Sequence, residues 1–93
     1  MFKTNEYFGG QVKSIAFNTT KGPATVGVMA PGDYEFGTST KEYMTVTSGE
    51  LNILLPGSTT WQLYKSGETF IVEKDLKFKV KVVADASYLC IYQ

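Results

Sequence analysis

The 93-residue chain contains no histidine, no arginine and a single cysteine, Cys90. Without histidine there can be no Ser-His-Asp or Cys-His nucleophilic arrangement. The same absence excludes a zinc site of the usual histidine and cysteine kind, and the iron site built from two histidines and a carboxylate. Cys90 has no partner for an intramolecular disulfide. It lies in the apolar run SYLCIY (87–92), where a packed thiol is expected rather than a nucleophile. Nine lysines balance nine acidic residues, so the chain has neither the basic face a nucleic-acid binder needs nor the charge for electrostatic membrane attachment. No apolar run approaches the roughly 20 residues of a membrane-spanning helix. The opening MFKTNEYFGGQVKS holds no apolar stretch of signal-peptide type. Together with the lone cysteine, this points to a cytoplasmic protein. No phosphate-binding loop or dinucleotide fingerprint occurs, and the pair Gly9-Gly10 is too little to count as one.

What is present points to one all-β domain spanning residues 1–93. A chain this short has no length to spare for a second core. Its 43% hydrophobic content is too high for a disordered segment. Alternation predicts strands at 11–17, 24–30, 33–36, 43–47, 50–55, 61–64, 68–72, 76–82 and 87–92. NTTKGP (18–23) reads as a turn, and Ser48-Gly49 as the tight turn of a hairpin. The clearest period is LKFKVKV, which sets Leu76, Phe78, Val80 and Val82 on a core face and Lys77, Lys79 and Lys81 on a solvated one. About eight or nine short, evenly spaced strands indicate a barrel or sandwich. A core this small leaves apolar candidates such as Phe2, Tyr7, Phe8, Ile91 and Tyr92 uncovered, and a dimer would hide some of them.

The chemistry still open to the chain uses carboxylates, lysines, hydroxyls, backbone amides and aromatic faces. Hydroxyls and N–H groups can hold phosphate, rings can stack a planar base, and a carboxylate can face a sugar that develops positive charge. The segment from Pro31 to Val72 resembles the two motifs of the cupins. Glu42 stands seven residues before the turn glycine Gly49, and a second glycine turn, Ser66-Gly67, opens another strand. The usual histidine positions fall near Phe36, Thr38 and Phe70, so the predicted fold is a metal-free, cupin-like double-stranded β-barrel of jelly-roll type.

A longer resemblance covers nearly the whole chain. NEYF (5–8), VKSI (12–15), VGVM (26–29), PGDYEF (31–36), EYMTVTSGELNILLP (42–56), Trp61, SGETF (66–70) and SYLCIY (87–92) stand in the order and spacing of the small bacterial pyrimidine/purine nucleoside phosphorylases. The resemblance implies a homodimer with no cofactor, which converts a purine or pyrimidine nucleoside and phosphate to free base and α-ribose 1-phosphate. Inorganic phosphate enters as the co-substrate. Glu42 is the catalytic candidate, able to stabilise an oxocarbenium-like ribosyl group or to bind its hydroxyls. Phe36, Thr38, Met44, Phe70 and Tyr88 are the substrate-binding candidates, and Tyr92 is a further contact to ligand or partner subunit. Family members are expected to carry an arginine before VGVM or in the last strand. Here Lys21 or Lys13 would supply that charge to phosphate, without the bidentate fork of arginine. The rival readings are a non-catalytic small-molecule-binding cupin and a structural dimer with a filled barrel.

Overall fold

Apolar residues recurring at every second position produce strands throughout. A computed structural model describes all residues, Met1–Gln93. In chain order the strands are β1 (Thr4–Tyr7), β2 (Val12–Thr19), β3 (Gly22–Met29), β4 (Gly32–Gly37), β5 (Glu42–Ser48), β6 (Glu50–Leu54), β7 (Gln62–Lys65), β8 (Thr69–Val72), β9 (Lys77–Val82) and β10 (Ala86–Tyr92). A single 3-10 turn, Phe8–Gly10, follows β1. All pairings are antiparallel. They form a six-stranded sheet ordered β1-β2-β3-β10-β5-β8 and a four-stranded sheet ordered β4-β9-β6-β7. The fold is all-β and cupin-like. No helix is long and apolar enough to cross a membrane.

Alternation holds best in β9, where Phe78, Val80 and Val82 are buried and Lys77, Lys79 and Lys81 exposed. Across the four-stranded sheet, Lys79 and Lys81 stand opposite Glu35 and Asp33 of β4. The core lies between the sheets and includes Met29, Val46, Leu51, Ile53, Val72 and Val80, each essentially free of solvent. Burying each such side chain contributes about 1.5–3 kcal/mol.

The structure differs from the sequence reading at four points, the first a strand it did not predict. The segment Thr4–Tyr7 is a strand, paired with β2 from Thr4↔Ile15 to Tyr7↔Val12. The NTTKGP turn is shorter than read: β2 and β3 pair out to Thr19↔Gly22, leaving only Thr20 and Lys21 in the turn. The Thr19 hydroxyl tightens it, donating to the Gly22 carbonyl at 2.8 Å and accepting from the Lys21 amide at 3.1 Å. Leu76 is 40% exposed and precedes β9, because its backbone is tied to Thr38 rather than to the sheet.

The fourth correction concerns Ser48-Gly49, which is a corner and not a hairpin. β5 pairs with β10 and β8, whereas β6 pairs with β7 and β9 in the other sheet. Gly49 makes the crossing with φ of 79°, a left-handed conformation open to glycine at little cost. Ser66-Gly67 makes the return crossing from β7 to β8, with φ of 90° at Gly67.

Candidate active site

Packing between the sheets stops short beside β1, leaving a cavity of about 390 Å³. Phe36 of β4 and Phe78 of β9 form its wall on one sheet, with ring centroids 5.7 Å apart. Phe8 meets Phe36 edge-on at 5.5 Å, and Tyr7 does so at 6.4 Å. Edge-to-face geometry at these separations is the favoured aromatic arrangement, so the wall is held by its own rings. The six-stranded sheet supplies Ser14, Met29, Glu42, Met44, Tyr88, Cys90 and Tyr92.

Glu42, Met44 and Val46 alternate along one face of β5, which is why the strand carries a carboxyl into an apolar space. Glu42 stands opposite Tyr92 of β10 and Val72 of β8. Burial raises its pKa above the ordinary value, partly offset by a hydrogen bond from the Cys90 thiol, Sγ donating to Oε1 at 3.5 Å. Burial also pushes the Cys90 thiol far up, and the neighbouring Glu42 charge adds to it. Cys90 is therefore a protonated donor in a buried position, not a thiolate. Tyr92 shares a 2.9 Å hydrogen bond with Thr25 Oγ1, and burial raises its hydroxyl as well. The Tyr88 hydroxyl is pushed up to about 12, chiefly by burial. At neutral pH both tyrosines are neutral hydrogen-bonding groups, which leaves carboxyl chemistry to Glu42 and, at the rim, Glu35.

Of the residues singled out from sequence, Phe36, Glu42, Met44, Tyr88 and Tyr92 line this cavity together. Thr38 and Phe70 lie outside its lining. Thr38 is 7% exposed. Its hydroxyl donates to the carbonyl oxygens of Glu73 at 2.7 Å and Leu76 at 3.3 Å, and accepts from the Leu76 amide at 3.1 Å. That wiring fastens the loop after β4 to the segment before β9. Phe70 packs behind the wall, 4.9 Å from Tyr64 and 5.9 Å from Phe78 by ring centroids. None of the lysines lines the cavity. Lys13 pairs with Glu6 at 3.4 Å on an exposed strand face, and Lys21 sits in the β2–β3 turn.

Sequence reading missed Tyr7, Phe8, Ser14, Met29, Glu35, Phe78 and Cys90 as lining residues. Ser14 carried a usable signal, because a serine two positions after Val12 breaks an otherwise apolar inward face. No group of three or more histidine, cysteine, aspartate or glutamate side chains is arranged to hold a metal ion.

Two antiparallel sheets around an aromatic-walled cavity with one half-buried carboxyl define a protein of cupin-like fold whose pocket presents rings, hydroxyls and carboxyls. Comparison with known proteins gives the family. The profile described as pyrimidine/purine nucleoside phosphorylase matches residues 2–92. A protein of that name from Alcanivorax borkumensis is 64% identical over 92 residues, covering 99% of this chain and 98% of its own length. One from Pseudomonas aeruginosa is 59% identical over the full length of both. A crystal structure of a Vibrio parahaemolyticus protein of unknown function superposes with TM-score 0.95 at 44% identity, covering 100% of this chain and 99% of the other. The cupin domain of Drosophila melanogaster CENP-C shares the fold alone, with TM-score 0.74 at 14% identity and coverage of 99% and 75%. The chain belongs to the pyrimidine/purine nucleoside phosphorylase family.

Proposed function

We propose that this cavity carries out phosphorolysis of nucleosides, releasing free base and α-ribose 1-phosphate. The observation that carries the reading is the half-buried Glu42 carboxyl in a space walled by Phe36, Phe8 and Phe78, in a chain of this family. A flat base suits the aromatic wall, and Met44 and Tyr88 complete its seat. As the C1′–N bond lengthens, its electron pair leaves with the base and positive charge grows on the ribosyl carbon. The Glu42 carboxylate stabilises that charge or accepts from a ribose hydroxyl. A phosphate oxygen then supplies the electron pair of the new C1′–O bond, and the departing base takes up a proton. Much of the catalysis is positioning, since no histidine is available as acid or base. Phosphate is held by hydroxyl and backbone N–H donors, with Ser14, Ser39 and Tyr92 on the lining. Thr38 and Phe70 support the site from behind. The active form is a homodimer in the cytoplasm that needs no cofactor. Exposed Ile15, Val26, Val28 and Ile71 on the outer face of the larger sheet support the dimer.

The lysine-free lining favours a second reading, a binding module that holds the same ligands without chemistry. Incubating the protein with adenosine or uridine, with and without phosphate, separates the two. Phosphate-dependent release of base and ribose 1-phosphate, unchanged by a chelator, is the expected result. Release without phosphate means hydrolysis, loss with chelator means a metal, and no release leaves the binding module.

A further inference from the structure

Tyr88 of β10 is opposite Gly27 of β3, which is opposite Ser14 of β2. A Cβ built on Gly27 would lie 2.5 Å from both Cζ and Oη of Tyr88 and 2.7 Å from Cε1. Carbon contacts are comfortable only from about 3.5 Å outward. The phenol ring therefore occupies the place where a side chain of β3 would stand. Gly27 is not among the glycines with positive φ, so its backbone conformation is one that any residue adopts. Space alone demands glycine there. Cβ-free strand positions under an aromatic ring from the neighbouring strand are a recognised packing device.

The ring that rests on Gly27 also lines the cavity. Across the space stands Phe36, braced by Phe8 at 5.5 Å and Phe78 at 5.7 Å. Lifting Tyr88 off β3 thus takes room from the cavity, and the far wall is poorly placed to yield. We propose that Gly27 is a positioning residue for specificity: by letting Tyr88 lie flat on β3 it sets the depth of the cavity, and so the size of base that enters. This rests on the reading of the cavity as a nucleoside site. It makes purines, with two fused rings, more dependent on Gly27 than pyrimidines.

The test compares wild type, Gly27→Ala, Tyr88→Val and the double variant with adenosine and uridine. One methyl group in a fitted pocket shifts discrimination by about 10- to 200-fold. Gly27→Ala is therefore expected to lower kcat/KM for adenosine at least about tenfold more than for uridine, mostly through KM. In the Tyr88→Val background the same glycine substitution should leave the adenosine-to-uridine ratio unchanged and should not lower the Tm, because no ring remains to be displaced and alanine only narrows the unfolded chain. Equal losses for the two nucleosides, or the same effect of Gly27→Ala in both backgrounds, would overturn the proposal. If Gly27→Ala alone does not fold while Tyr88→Val does, a folded double variant supports the seating of Tyr88 on Gly27, and an unfolded one refutes it. Equilibrium binding of adenosine and uridine, followed by calorimetry, reads the same size selection without turnover. A wild type that binds nucleosides but does not cleave them would sink phosphorolysis and leave this inference standing.

Discussion

Substituting alanine at Gly49 and, separately, at Gly67 probes the two sheet crossings with matched backbone changes. Both glycines have left-handed backbones, φ of 79° and 90°. Alanine in that region costs about 1–2 kcal/mol on conformational grounds at either site. Their surroundings differ. At Gly67 a new Cβ meets nothing within 4 Å. At Gly49 it meets the Asp85 carbonyl oxygen at 3.0 Å and the Ala86 Cα and Cβ at 3.2 Å. Those atoms lie at and just before the start of β10 and have no side-chain freedom with which to retreat. Overpacking of this kind adds about 1–3 kcal/mol. With about 2 kcal/mol as the extra cost at Gly49, and about 4–8 °C per kcal/mol for a domain of this size, Gly49→Ala should melt roughly 8–16 °C below Gly67→Ala. Thermal denaturation followed by circular dichroism measures this, and urea unfolding with an unchanged m-value checks that the cost lies in the native state. Equal melting points for the two variants would refute the claim that the β5–β6 corner is wedged against β10.

Thr38→Val keeps the shape of the side chain and removes its hydroxyl, stranding the Glu73 carbonyl and the Leu76 amide. A loss of about 1–3 kcal/mol is expected, with KM for nucleoside unchanged; a raised KM at unchanged stability would instead return Thr38 to the binding site. Glu42→Gln should lower kcat on the order of 100-fold or more with fold retained. The same variant tests the raised Glu42 pKa. A carboxyl that keeps its proton to higher pH in the folded chain than in the unfolded chain gives stability that is present below the ordinary value of 4.5 and lost as pH rises through the folded pKa. Melting curves from pH 4 to 8 should show wild type losing stability relative to Glu42→Gln across that window, and parallel curves would contradict the assignment.

The strands were legible wherever one face is buried and the other wet, because period-two alternation is then written directly into the residues, as in β9. The same alternation, running through 42–46 and 86–90, turns Glu42, Met44 and Tyr88 inward. β1 escaped notice because its four residues are half-buried at best and carry little pattern. The corner at Gly49 was misread for a different reason: a left-handed glycine serves a hairpin and a sheet crossing equally well. What separates them is which distant strand β5 and β6 each pair with. Motif spacing placed Phe36 on the cavity and also pointed to Thr38 two residues later. A hydroxyl committed to the backbone of a segment 35 to 38 residues away leaves no mark in the local sequence. The seat of Tyr88 on Gly27 was equally hidden, since it is a contact between strands far apart in the chain.

The position of β10 between β3 and β5 has a consequence for how the molecule comes into being. Of the ten strands, β10 follows all the others in chain order yet is an interior one of the larger sheet, and it brings Tyr88, Cys90 and Tyr92 to the cavity. Until it arrives, β3 and β5 face each other across a gap with their hydrogen-bonding edges bare. With β1 to β9 alone the larger sheet is therefore incomplete, and formation of the site coincides with closure of that gap. Pulse-labelling hydrogen exchange during refolding should show β3, β5 and β10 gaining protection together.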